Sequence, residues 1–466
     1  MAERALDRVR AGDELLERGP GRRLGGRDPP VGRDHLPVVE EHHPQVDAGG
    51  VGCHGGRGRR RAGRAGRRPG GRCAGRRSGG RPDPVGPAAG GEDEGGGDQH
   101  DRARGEQGGG PTRTVHASSI ADGTLLGHPV VLITGNEGCD RNVSRLAQEE
   151  LLSEAGLVAV VGTTCSSAAL GQADVAFSAA RIPIVSPSNT APALTDPETH
   201  ERYYFRVAWN DKLQGAVMAN FAAFRGWRGV TVIAQPDDPY SDQLADAVAS
   251  QARRRQVGVR TVLWTTGGTA AAVAAAATDP RPVVLTLLPP QCRNVAAAIR
   301  QEPALAGVPI LVSEACGDAD FLRALGPDPG DVYASVPDTR GANESRAFYT
   351  ESFVPAFTNR VGTGPTVAFH AQAFDAAQLI FSAIRRAAVG QPGGELLIER
   401  KRMRDALLRI AGYPGVSGVV TCSPSGDCAD QVAIGIYRAP AWPAVVGPSA
   451  PPVFSQSLTL GDLESS

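Results

Sequence analysis

From Gly127 onward the chain alternates short, continuously apolar runs with amphipathic stretches of helical period, and that alternation leaves few folds open. Residues 129–134 read as a strand and 143–155 as a helix. Residues 157–162 then read as a strand and 167–180 as a helix. Further strands are predicted at 229–234, 259–264, 281–287 and 308–313, with helices such as 241–255 and 294–301 between them. The runs are unbroken rather than alternating, as expected of strands covered on both faces. Repeated strand–helix units of this kind imply doubly wound parallel sheets. The units outnumber one comfortable sheet, so the expected fold is α/β with two Rossmann-like lobes. A helical block at 365–410 and a closing hairpin joining 417–421 to 433–437 complete it.

Two of the predicted strands run straight into loops of small hydroxyl residues that open into helical segments. One is Gly162-Thr-Thr-Cys-Ser-Ser and the other is Ser186-Pro-Ser-Asn-Thr-Ala. Hydroxyls and backbone N–H groups at a helix start make a seat for a carboxylate or another anion. Neighbouring loops of this type meet at the carboxyl edge of a parallel sheet, where such folds bind ligands. A small anionic or zwitterionic ligand is the expectation. No G-x-G-x-x-G opens a helix after a strand, and no Ser/His/Asp or paired-carboxylate arrangement stands out, so an enzyme is not expected.

Residues 1–112 differ from the rest. Gly and Arg dominate much of this segment, large apolar residues are few, and a chain so composed lacks the apolar surface to offset backbone entropy. It is expected to carry no fold. An Arg/Gly nucleic-acid tail is one reading, but aromatics to stack on bases are missing and acidic residues interrupt the run. The chain holds only two Lys, Lys212 and Lys401, against abundant Arg, which points to GC-rich coding DNA. Such DNA read out of frame yields this composition, and that reading fits better. No nucleic-acid partner is expected.

Of the 8 Cys, six lie in the globular part and none forms C-x-x-C, so neither zinc nor another metal or cofactor is expected. Cys422 and Cys428 flank Ser-Pro-Ser-Gly-Asp, a strong turn across which two side chains could meet. Cys292 and Cys316 follow adjacent predicted strands and could bridge. An even count with a locally bridgeable pair favours disulfides and an oxidising compartment, six buried thiols being the alternative. No run is long and apolar enough for a transmembrane helix, and the first residues do not form a signal peptide.

From about Leu125 to Tyr437 the chain resembles the type I periplasmic solute-binding proteins, specifically the leucine/isoleucine/valine-binding family of ABC importers. The resemblance rests on Gly162-Thr-Thr-Cys-Ser-Ser, Ile184-Val-Ser-Pro-Ser-Asn-Thr-Ala-Pro-Ala-Leu, and Tyr204-Phe-Arg followed by Asp211 and Gln214-Gly-Ala. It extends to Asp237-Asp-Pro-Tyr-Ser, Ser313-Glu-Ala and a terminal Gly426-Asp. It implies two lobes joined by a multi-strand hinge, divided here as 113–206 and 338–416 for lobe I and 207–337 for lobe II. Residues 417–440 would form the closing hairpin on lobe II and 441–466 a tail.

The resemblance also implies roles. Ser166, with its neighbour Ser167, would bind a ligand α-carboxylate. Ser188 and Thr190 would contact carboxylate and amino groups. Tyr240 would close over the ligand from the second lobe, and Glu314 would neutralise an ammonium. Cys139 and Cys165 match the family's lobe I disulfide. The family implies a monomeric, extracytoplasmic protein that closes on an amino acid and hands it to an ABC permease, or a sensor on the same fold. Two departures stand out. Nothing before Gly127 resembles the family's opening strand, roughly Ile-Gly-x-x-x-Pro-Leu-Thr-Gly. An aromatic expected after the strand at 283–288 is replaced by Pro289-Pro-Gln-Cys.

Overall fold

The computed structural model describes residues 8–9, 123–265, 268–338, 346–429, 431–439 and 451–464. The segment expected to carry no fold lies outside these residues apart from β1 (Arg8–Val9). The globular chain opens with a two-strand hairpin, β2 (Thr124–Leu125) and β3 (His128–Pro129). A three-stranded parallel sheet follows, formed by β4 (Val160–Val161), β5 (Ile184–Ser186) and β6 (Tyr204–Arg206) in that order. A second sheet begins with β7 (Gly229–Ala234), β8 (Gly258–Leu263), β9 (Val283–Leu285), β10 (Ile310–Val312) and β11 (Val332–Pro337).

Between β11 and the last strands come β12 (Ala388–Gly390) and β13 (Leu396–Ile398), then β14 (Tyr413–Pro414) and β15 (Val419–Val420). The chain then returns to the second sheet with β16 (Gln431–Arg438) and β17 (Phe454–Thr459). That sheet runs β17-β16-β11-β10-β9-β7-β8, parallel from β8 to β11 and antiparallel at β16 and β17. The buried strands β9, β10 and β11 carry apolar side chains on both faces, which is why they read as continuous runs.

Each sheet has its own core. Val185 and Phe205 pack against the helices His370–Ala387 and Arg400–Leu408, with Ile184 and Tyr204 on the opposite face against Phe177 and Leu194. In the second sheet, Val232, Val284 and Leu311 face the helices Asp211–Phe224 and Pro239–Arg254, while Ile233, Leu285 and Val312 face Val295, Ile299 and Phe321. Local chemistry sets the helix starts. Asn210 Oδ1 accepts from Lys212 N at 3.0 Å, and Asp238 Oδ1 from Ser241 N at 2.9 Å with Pro239 in the first turn. The two helices approach so closely that a Cβ at Gly215 would lie 2.7 Å from Ala247 backbone.

Several expectations are corrected. Residues 130–134 form no strand, and Val131 and Leu132 stand 79% and 84% exposed. An extended segment becomes a strand only by pairing, and beyond the bond from Val130 N to Gly123 O no described strand pairs with it. The helix expected over 167–180 is broken at Leu170 and Gly171, where Gly171 adopts a φ of 71°. The block at 365–410 contains the β12–β13 hairpin. The closing hairpin does not form either. β15 pairs with β14, β16 pairs with β11, and Gly426–Cys428 is held by β6: Gly426 O accepts from Arg206 N and Arg206 O from Cys428 N, both at 2.9 Å. Gly426 has a φ of 82°, and a Cβ there would collide with Tyr204 O. The expected tail contributes β17.

All three cysteine pairs are bonded: Cys139–Cys165, Cys292–Cys316 and Cys422–Cys428, with Cα separations of 5.2, 6.6 and 3.7 Å.

Two buried carboxylates predict a pH dependence of stability. Burial pushes Asp174 up to about 6 and Asp375 likewise to about 6, despite the bonds Asp375 receives from Val416 N, Ser417 N and Ser417 Oγ. A folded-state pKa above the unfolded value means the folded chain holds protons more tightly. The stabilisation is then present at low pH and lost as pH rises through about 6. The thermal midpoint at about pH 5.5 should exceed that at about pH 7.5 by a few degrees, roughly 2–4 °C per kcal/mol. A scan that finds it lower would refute this.

Candidate functional site

The two hydroxyl loops do converge at the carboxyl ends of β4 and β5. Ser166 begins a short helical turn and is buried, and its Oγ accepts from Thr190 N and from Ala191 N, both at 3.2 Å. One hydroxyl therefore stitches the loops together at two backbone N–H groups. Ser186 Oγ donates to Thr163 O at 2.7 Å, and Ser188 Oγ to Thr164 O at 2.9 Å. The Ser188 hydroxyl is thus engaged within the loop pair rather than free. Ser167 Oγ lies 3.5 Å from Cys139 O and beside Asp238, whose pKa burial raises and the Ser167 hydroxyl pulls back. Thr190 is fully buried with no hydrogen-bond partner for its Oγ1.

Two residues that sequence reasoning missed hold this arrangement. Glu137 Oε1 accepts from Thr164 N and Cys165 N at 2.9 Å and also from Thr164 Oγ1, so the chain's own carboxylate fills the entrance to the first loop. Burial raises its pKa, and those donors oppose the rise. Arg206, fully buried on β6, donates to Ala191 O at 2.8 Å, Thr195 Oγ1 at 2.6 Å and Asp427 Oδ2 at 2.7 Å. It fixes the second loop from beneath. Neither residue had a local signal: Glu137 meets partners 27 and 28 residues away, and Arg206 meets Asp427 221 residues away.

The other predicted residues sit on the second sheet. Glu314 follows β10 in a short 3₁₀ turn, and Tyr240 lies in the first turn of Pro239–Arg254. Both are buried, and Tyr240 Oη donates to Glu314 Oε1 at 2.9 Å. Gln214 Nε2 donates to Glu314 Oε2 and, at 2.6 Å, to Ser335 Oγ. Burial raises Glu314 above the usual carboxylate range, while the donors Gln214 and Tyr240 pull it back. Tyr240 is raised too, first by burial and then by the charges of Glu314 and Asp211.

These two groups of residues are brought together. Thr190 O accepts from Asp211 N at 2.9 Å at the start of the helix that carries Gln214. Ala193 N donates to Gln243 Oε1, also at 2.9 Å, in the helix that carries Tyr240. The arrangement therefore offers backbone N–H groups and a hydroxyl from one side, and carboxylates and a phenol from the other. Together they can hold a small molecule bearing both charges. A shallow groove lies elsewhere, where Val207, Trp209, Asp338 and Val432 meet as the chain passes between sheets.

Glu137, Cys139 and Cys165 are the one group among the described residues whose atoms cluster as metal ligands do. Both sulfurs are in a disulfide and one carboxylate oxygen is engaged by backbone N–H groups, so the group does not fit a metal. No described helix is long and apolar enough to cross a membrane.

A family profile described as periplasmic binding protein matches residues 116–431. An amino acid binding protein of Pseudomonas aeruginosa is 26% identical over 144 residues, 31% of this chain and 37% of that protein. The chain thus matches little more than a third of this relative's length. Among solved structures, a leucine binding protein from Thermotoga maritima superposes with a TM-score of 0.61 at 21% identity, covering 74% of this chain and 92% of that one. The substrate binding protein of a branched-chain amino acid transporter from Streptococcus pneumoniae, in complex with isoleucine, gives 0.59 at 16% identity, covering 73% and 91%. At these identities the likeness is one of fold.

Proposed function

The chain belongs to the periplasmic binding protein family, and from that premise we propose that it captures a free α-amino acid outside the cytoplasm and presents it to an ABC permease. One observation carries the reading. Ser166 and the N–H groups of Thr190 and Ala191 form an anion seat, and Glu314 with Tyr240 forms a cation seat. The Thr190–Asp211 contact sets the two against each other.

The binding step follows from acceptor strength. A ligand carboxylate is a stronger acceptor than the Ser166 hydroxyl, so it takes the Thr190 and Ala191 N–H groups and receives the Ser166 O–H as well. The ammonium then lies toward Glu314 and Thr190 Oγ1. Residues 207–210, where the chain passes from one sheet to the other, act as part of the hinge, and closure excludes water and strengthens every charge contact. Pairing with Arg206 and Glu137 keeps both loops in place before the ligand arrives, which lowers the ordering cost of binding. The protein acts by binding alone and as a monomer.

Calorimetry with the full chain tests this against a panel of amino acids, their amides and the corresponding decarboxylated amines. Free amino acids should bind, while amides and amines should bind at least about 100-fold more weakly, since each buried charge would lose its partner. Binding of only a neutral amide, a sugar or an aromatic acid would overturn the ligand assignment.

A further inference from the structure

The turn that carries Glu314 is short and holds itself together weakly. It spans Glu314–Cys316, and its backbone bonds run from Cys316 N to Ser313 O and from Gly317 N to Glu314 O, both at 3.1 Å. Ser313 precedes the turn without capping it, and the Ser313 hydroxyl has no hydrogen-bond partner. A single 3₁₀ turn is a marginal structure, because its hydrogen bonds are poorly aligned. Yet this one holds a buried carboxylate between Tyr240 and Gln214, which come from two different helices.

The missing rigidity comes from the other face of the sheet. Cys316, the last residue of the turn, is bonded to Cys292 in the first turn of the helix Gln291–Gln301, 24 residues away. Both cysteines are fully buried in the core that holds Leu287, Val312 and Val336, whereas Tyr240 belongs to the opposite core. Next to Cys292, Arg293 reaches across to Asp318 at 2.7 Å and to Asp320 at 3.6 Å. Just past the turn a Cβ at Gly317 would lie 3.0 Å from a Val336 methyl, so the chain is pressed against β11 there. Glu314 thus sits two residues from a covalent anchor.

We propose that the Cys292–Cys316 disulfide is the positioning element of the cation seat, holding the Glu314 carboxylate where an ammonium must meet it. The proposal rests on the amino-acid reading above and deepens it. Donors hold Glu314 from one face of the sheet and the covalent bond holds its turn from the other. A turn free to drift would admit water, and a charge contact weakens as the local dielectric rises. An anchored carboxylate also has less freedom to lose when a ligand binds. The ligand carboxylate is served by loops of the first sheet, which the bond does not touch.

Calorimetry on the full chain tests this with Cys292→Ala/Cys316→Ala, since a thiol reductant would also open Cys139–Cys165 beside Ser166. Affinity for an amino acid should fall about tenfold, and that for the simple carboxylate of the same side chain by less than about twofold. With Glu314→Gln added, loss of the disulfide should change amino-acid affinity by less than about twofold, because the group it positions no longer carries charge. Amide hydrogen exchange should quicken at 314–317 and stay unchanged at 166–191. Should the double variant fail to fold, Cys292→Val with Cys316→Ala, which refills most of the buried volume, takes its place. Equal weakening of both ligands, a tenfold loss that persists with Glu314→Gln, or unchanged exchange at 314–317 overturns the proposal and leaves the amino-acid reading standing. If the unaltered protein binds no amino acid, the amino-acid reading falls, and the positioning role with it.

Discussion

Replacing Arg206 with Leu should cost about 3–5 kcal/mol of folding stability, read as a lowered urea midpoint with little change in slope. The guanidinium is fully buried and reaches Asp427, Ala191 O and Thr195 Oγ1, so its removal strands a buried carboxylate and two acceptors at once. Asp427 would keep only the Thr195 hydroxyl at 3.0 Å on Oδ2, since its other oxygen is buried without a partner. Because much of the cost is the abandoned charge, adding Asp427→Leu to Arg206→Leu should recover part of the loss rather than double it. Arg206→Lys should behave more like the Leu variant than like wild type, since an ammonium cannot reach three partners lying in the guanidinium plane. A loss below about 1 kcal/mol for Arg206→Leu would mean the buried pair is not what holds the second loop.

That residue also marks the limit of what the chain discloses before it is folded. Strand β7 falls on residues 229–234 as read from its apolar run, and the strand–helix order through β10 follows the same signal. Periodicity is a local property, and these elements are locally specified. The failures have one cause. Whether residues 130–134 pair, or 417–421 meets 433–437, depends on what lies alongside, and no local pattern carries that. The break at Gly171 is a partial exception, since a glycine weakens a helical run without deciding whether the helix ends there.

The site divides in the same way. The placing of Ser166 and Thr190 in loops after strands was legible because hydroxyls there have a local meaning, and Tyr240 and Glu314 were singled out through the resemblance of their surrounding motifs. Asp211 and Gln214 stood in a quoted motif with no role attached, since what matters is that one lacks a partner and the other bonds Glu314 100 residues away. Ser188 shows what residue type leaves out. Its residue type suits ligand contact, but its hydroxyl bonds Thr164 O and holds the loops together.

The contrast between the two ends of the site yields the other large effect. Glu314→Gln keeps the shape of the side chain and the Tyr240 contact but removes a charge that burial has made costly to leave unpaired. Affinity for a zwitterionic amino acid should fall by about 100- to 1,000-fold, in line with roughly 3–4 kcal/mol for truncating a buried charge pair. A simple carboxylate of the same side chain has no ammonium to place there, so its weaker binding should change by less than about 10-fold. Thr190→Ala acts differently, because it removes the unpartnered Oγ1 and loosens the loop whose N–H group would serve the carboxylate under the proposed function. Both ligands should therefore weaken together, by about 5- to 20-fold, the scale of one hydrogen bond. The diagnostic is the ratio of the two ligands in each variant, measured by calorimetry at one pH. If Glu314→Gln weakened both ligands equally, Glu314 would be supporting the lobe rather than facing an ammonium.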